Sequence, residues 1–192
     1  MKKSLLAIPL VFSLSHACDM DYVSIGGIKV NCPMEFQDIN FTKSETGFIT
    51  KEVAFFDTAH VTLVNDRVGA ITFKKRYTLD ISKQAEQKLN IAQDFIELVT
   101  ALAKKWHPST IKGSDSVLEA IMTSGQYKSL EYTSLLMQPD AILASIDISY
   151  KSYGLFEDKE AIKTVLGLEY KSVDYINNET EESTARKEFR SF

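Results

Sequence analysis

Histidine, cysteine and tryptophan are scarce in this chain: three, two and one in 192 residues. Each shortage removes a class of chemistry. His16 falls within the first seventeen residues, which leaves His60 and His107, and neither has a second His, a Cys or an acid at metal-ligand spacing. No metal site is predicted. The chain also has no G-x-S-x-G, P-loop, G-x-G-x-x-G or C-x-x-C motif, so no cofactor and no catalytic residue is predicted from motifs. Gly113-Ser114-Asp115-Ser116 resembles a nucleophile turn only faintly. It lacks the preceding strand and the second glycine, and Ser114 or Asp115 suits the N-cap of a following helix. Asp115 and Glu119 share a helical face at i, i+4, the arrangement of an ordinary solvated face.

Two further absences concern surfaces. Beyond the N-terminus no apolar run approaches the ~20 residues that a spanning helix needs, so no integral membrane span is expected. There is no basic run longer than the Lys74-Lys75-Arg76 cluster, which marks where the strand after Asn65-Asp66-Arg67 is expected to leave the core, and the formal charge is −4. An acidic chain of this kind is a poor partner for nucleic acid or anionic lipid.

What is present begins with a leader. Residues 1–17, MKKSLLAIPLVFSLSHA, combine Lys2 and Lys3, an apolar run from Leu5 to Leu14, and Ser15 and Ala17 at −3 and −1 of a cut before Cys18. They predict a cleaved signal peptide and a periplasmic or secreted product of bacterial-type export. Loss of Lys2 and Lys3 leaves 20 basic residues against 26 acidic, a net charge of −6. Oxidising surroundings favour a disulfide between Cys18 and Cys32. The alternative is a lipid anchor on Cys18, although Leu14 stands one place too far upstream for the usual lipobox.

The longest periodic stretch is Asp80 to Trp106. Ile81, Ala85, Leu89, Ala92, Phe95, Ile96, Val99, Leu102, Ala103 and Trp106 fall on one arc, widened by Ile91 and Leu98. Asp80 is the expected N-cap, and His107-Pro108 ends the helix. Lys88 is a misfit projecting into the apolar arc. Strands surround this helix: Tyr22–Asn31 as a short strand or hairpin, Gly47–Phe56, a hairpin over His60–Tyr77 turning at Asn65-Asp66-Arg67, Gln126–Met137, Ala141–Tyr153 and Leu168–Ile176. Asp115–Thr123 reads as a short helix and Glu157–Leu166 as another. Tyr-Lys-Ser recurs at Tyr127, Tyr150 and Tyr170, but unequal spacing and unmatched flanks make it a strand habit rather than a repeat.

The predicted fold is α+β: an antiparallel sheet of about six strands with one long amphipathic helix, about 80–106, packed on one face, plus one or two short helices. Residues 18–176 form a single domain and 177–192 a polar tail. The expected function is that of an exported, non-catalytic envelope protein that binds another protein, such as an inhibitor, immunity or assembly factor. Its acidic charge suits a basic target, and Tyr127, Tyr132, Tyr153, Tyr170 and Tyr175 form a candidate binding surface, since tyrosine gives a large rigid face at small entropic cost. The rivals are a carrier of a small apolar ligand or lipid between helix and sheet, and a hydrolase with scattered carboxylates.

Overall fold

The structure is a computed structural model that describes residues 18, 24–108, 110–123, 130–137, 144–153, 161–172 and 174–181, with the backbone alone considered in 130–137 and 144–153. It is α+β, as the pattern predicts. In chain order the elements are β1 (Ser24–Ile25), β2 (Ile28–Lys29), a 3₁₀ turn at Met34–Phe36, β3 (Thr42–Ser44), β4 (Gly47–Thr50), β5 (Thr58–Val64), β6 (Arg67–Asp80), a 3₁₀ turn at Ile81–Lys83, and α1 (Gln84–Trp106). There follow β7 (Thr110–Lys112), α2 (Ser114–Thr123), β8 (Leu130–Met137), β9 (Ala144–Tyr153) and β10 (Ala161–Ser172). Residues 174–181 form a further helix, α3.

Strands β3 to β10 make one antiparallel sheet in the order β3-β4-β5-β6-β10-β9-β8-β7, while β1 and β2 pair separately. The sheet is two meanders joined at their last strands, β6 against β10. Helix α1 carries the chain from the middle of the sheet to its far edge. The sheet has eight strands rather than about six because β3 and β7, at its two edges, are three residues each and too short to show a period.

The β5–β6 hairpin turns on Asn65 and Asp66, both with positive φ (51° and 61°), the backbone of a two-residue type I′ turn. Beyond it, β6 continues through Lys74-Lys75-Arg76 to Asp80, past the point where the cationic cluster suggested that it leaves the core. Alternation explains how. Ile71, Phe73 and Leu79 face the core, and on that side Lys75 and Tyr77 both donate to Asp94 Oδ2 of α1 at 2.7 Å. Lys74, Arg76 and Thr78 are exposed on the other side.

One face of the sheet carries the core. Ala59, Val61, Ile71, Phe73, Leu79, Ile162, Leu166, Leu168 and Tyr170 are buried there with Ile91, Phe95, Leu98 and Leu102 of α1 and Val117, Ala120 and Ile121 of α2. The β1–β2 hairpin also packs on this face. Gly26, at φ +57°, comes so close to Phe73 that an added Cβ would stand 2.8 Å from its ring.

Helix α1 is turned from its predicted orientation. Leu89 and Ile96 are 59% and 50% exposed, whereas Ile91 and Leu98, placed on the margin of the arc, are buried. Lys88 joins the buried side: its stem is covered and its Nζ donates to Met122 O near the C-terminal end of α2 at 3.0 Å. Asp80 does cap, accepting from Ser82 N at 2.8 Å, but it caps the 3₁₀ turn that precedes α1. At the other end His107 adopts a left-handed conformation, and its N–H bonds Ala103 O at 2.9 Å.

Three expectations need correction. Strand β4 ends at Thr50, and the bends after it send Val53 and Phe56 into the core. Residues 161–166, expected in a helix, are the first half of β10. This central strand is bonded to β6 and β9 along its length, and those two ladders outweigh the local helical pattern. The strand predicted over Leu168–Ile176 stops at Ser172, whose Oγ accepts from Tyr175 N at 3.2 Å and so caps α3. The polar tail expected from 177 onward, either frayed or a short surface helix, starts within α3; residues 182–192 lie outside the described residues. Gln138-Pro139-Asp140, a good turn sequence between the expected strands Gln126–Met137 and Ala141–Tyr153, lies outside them too.

Candidate functional site

Cys18 and Cys32 are disulfide-bonded, with Cα atoms 4.9 Å apart. Cys32 is fully buried, and its carbonyl accepts from Val68 N at 3.0 Å. The bridge thereby anchors the start of the domain to the first residues of β6.

Of the five tyrosines, Tyr170 does not belong to an exposed surface. Tyr127 lies outside the described residues. The backbone of Tyr132 is paired with Tyr150, and that of Tyr153 with Lys163. Tyr170 is 2% exposed, between Ile71 and Ile146 in the ladder, and burial pushes its phenol up to about 12. It is a core residue. Tyr175, on α3, is half-buried with Lys171 Nζ 5.7 Å from its ring centre. Burial and then the nearby Glu179 raise its pKa. Even-numbered residues of β10 meet the helix-covered face, so Tyr170 was bound to the core once the strand began near 161.

His60 sits on β5 with Nε2 3.0 Å from Thr46 Oγ1 and 3.5 Å from Ser44 Oγ, contacts that tie the edge hairpin down. Among the described residues no group of three or more His, Cys, Asp or Glu is placed to hold a metal ion, and no helix is long and apolar enough to cross a membrane.

Two features have the geometry of sites. A cleft of about 420 Å³ opens at the end of the sheet, lined by Asn31, Val64, Arg67, Gly69, Ser172 and Asp174 among others. Its walls are mostly polar, and Arg67 Nη1 is fixed on Asn31 O at 2.9 Å. The second is the sheet face turned away from α1. On β6 and β10 this face carries Ala70, Thr72, Lys74, Arg76 and Thr78 beside Lys171, Glu169, Gly167, Val165 and Lys163, in ladder register.

The two ends of that face differ. At one end Lys171 Nζ lies 3.8 Å from Glu169 and 3.3 Å from Glu179 of α3. Burial works to lower the Lys171 pKa, but Glu169 and Glu179 outweigh it and the net shift is upward. At the other end Lys74, Arg76 and Lys163 are exposed, and none makes an ion pair among the described residues. The sequence reading missed this grouping. Lys74 and Arg76 were visible as part of one cluster, but Lys163 was assigned to a helix, and only the β6–β10 register brings it alongside.

Comparison with known proteins identifies no relative: no family model, curated protein or solved structure matches the chain.

Proposed function

We propose that this chain is an exported, non-catalytic protein that binds another protein in the cell envelope. The observation that carries the reading is the open side of the sheet. Both helices after β6 and before β8, together with the β1–β2 hairpin, lie on the opposite face, while the central strands present exposed polar and charged side chains. A broad face of this kind, held rigid by a continuous ladder, is suited to a protein partner more than to a small molecule. The leader pattern of residues 1–17 and the Cys18–Cys32 bridge support an extracytoplasmic setting.

The reading is tested by crosslinking and affinity capture of the mature protein from envelope extract. One stoichiometric protein partner is expected. A bound lipid with no protein partner overturns it in favour of a carrier. That rival draws little from the packing, because Phe73, Leu79, Ile91, Phe95, Leu166 and Leu168 fill the layer between α1 and the sheet, and the described cleft is polar and lies at the sheet's end. Export is tested separately by the N-terminus of the mature product, expected at Cys18; retention of Met1 removes the setting.

A further inference from the structure

We infer that the surface formed by Lys74, Arg76 and Lys163 docks an acidic segment of a protein partner. This rests on the protein-binding reading and names the partner's chemistry and the place where it sits. Lys74 and Arg76 are i and i+2 on β6, roughly 7 Å apart at the ordinary rise of a strand. In the ladder Arg76 stands opposite Val165 and Thr78 opposite Lys163, so Lys163 is a diagonal neighbour of Arg76, also roughly 7–8 Å away. Three like charges thus lie within about one Debye length of the middle one at physiological salt. Each repels the others, and no carboxylate among the described residues relieves the repulsion by an ion pair.

The neighbouring groups keep the cluster available. Asp57, at its edge, accepts from the backbone N–H of Arg76 at 2.6 Å and makes no ion pair with the guanidinium. Lys75, between the two β6 cations in sequence, points through the sheet and is spent on Asp94. Glu169 is two ladder positions beyond Gly167 and is paired with Lys171. Val165 and Gly167, both uncharged, stand opposite Arg76 and Lys74 in the ladder and add no carboxylate beside the cations. Thr58, opposite Lys74 on β5, and Thr78 add hydroxyl donors at the margin.

Net charge decides against a bilayer as the occupant. The mature chain carries 26 acidic residues against 20 basic, so an anionic membrane repels it as a whole while a local acidic peptide meets only the patch. The acidic composition taken alone suggested a basic target; the arrangement of charge points to the opposite partner at this face.

The probe is a labelled decapeptide of alternating Glu and Ser, titrated into the mature protein at low and physiological salt, with amide shifts followed by NMR. Saturable binding is expected, weakened at least several-fold by salt, with shifts confined to residues 72–78 and 161–167. The triple variant K74Q/R76Q/K163Q, whose substitutions are all at exposed positions, is expected to lose binding by roughly tenfold or more while keeping its melting temperature. Shifts centred elsewhere, or unchanged affinity in the triple variant, overturn the inference. So does binding to vesicles of phosphatidylglycerol and phosphatidylethanolamine without binding to the peptide. Capture of the same envelope partner by both wild type and the triple variant leaves the protein-binding reading standing and removes this surface. Capture of none by either, with peptide binding intact at the patch, removes the reading and keeps the charge recognition.

Discussion

Lys88 of α1 holds α2 by its end: the ammonium donates to Met122 O at 3.0 Å while its methylene stem is covered. A cation is well placed there, because the C-terminal carbonyls of a helix are unsatisfied and carry its negative pole. Burial lowers the Lys88 pKa. The unfolded chain therefore holds this proton more firmly than the native one, and the Lys88 contribution to stability rises with pH between the lowered native value and the ordinary lysine value of 10.5. Lys88→Ala is expected to cost roughly 2–3 kcal/mol, and Lys88→Met, which keeps the stem, about 1 kcal/mol or less. Urea unfolding from neutral to alkaline pH checks both, and equal losses in the two variants would show that the hydrogen bond, not the stem, carries the contact.

Tyr170 has the opposite sign. Its phenol loses a proton near the ordinary tyrosine value of 10.0 when unfolded but at about 12 in the fold. Its stabilising contribution is complete below pH 10 and is lost as pH rises through the native value. The loss amounts to roughly 3 kcal/mol. Absorbance of tyrosinate is expected to show one tyrosine ionising late, in step with unfolding. Tyr170→Phe is expected to remove that late step and flatten the alkaline fall in stability.

The orientation of α1 is open to direct test. Leu89 and Ile96 face outward and Phe95 and Ile91 face the sheet. Leu89→Gln is expected to change stability by no more than about 0.5 kcal/mol, whereas Phe95→Ala is expected to cost about 3–5 kcal/mol. Thermal unfolding distinguishes them, and a large loss from Leu89→Gln would put the helix in the orientation that periodicity alone favoured.

The Cys18–Cys32 bridge closes a short loop, with a sequence separation of 14. Reduction, or paired substitution by serine, is expected to cost up to about 3 kcal/mol in the chain-entropy view. Calorimetry with and without a reductant measures it. An unchanged melting temperature would mean that the start of the domain is anchored by the Val68–Cys32 and Asn31–Val68 hydrogen bonds alone.

Asp94 couples α1 to β6 through two donors, Lys75 Nζ and Tyr77 Oη. All three groups are partly accessible, so solvent screening limits the pair with Lys75. Asp94→Ala is expected to cost about 1–2 kcal/mol, with Tyr77→Phe losing much of its own effect in that background. Additive losses in a double-mutant cycle would deny the coupling.

Where one face of an element meets one environment, the pattern was readable in advance. Strand β6 alternates from Ile71 to Asp80, Asn65-Asp66 turns as its residue types require, and α1 has the long stripe of a helix laid on a sheet. The misreadings share a cause. The apolar arc on α1 is wider than the surface that covers it, so its centre did not give the buried line, and Lys88 looked out of place until α2 supplied an acceptor. Strand β10 is bonded on both sides, and its early residues showed no strand pattern strong enough to compete with a helical one.

By itself the sequence determined what each segment is able to bury: a helix needing cover, strands able to provide it, a cysteine pair near the start and an excess of acidic charge. Those are properties of composition and period, and they act over a few residues. The tertiary structure decided which strands became neighbours, and with that which side of Tyr170 meets the core and which cations stand together. Ladder register fixes relative position across more than eighty residues of chain, from Lys74 to Lys163. Local periodicity holds no information about such a pairing.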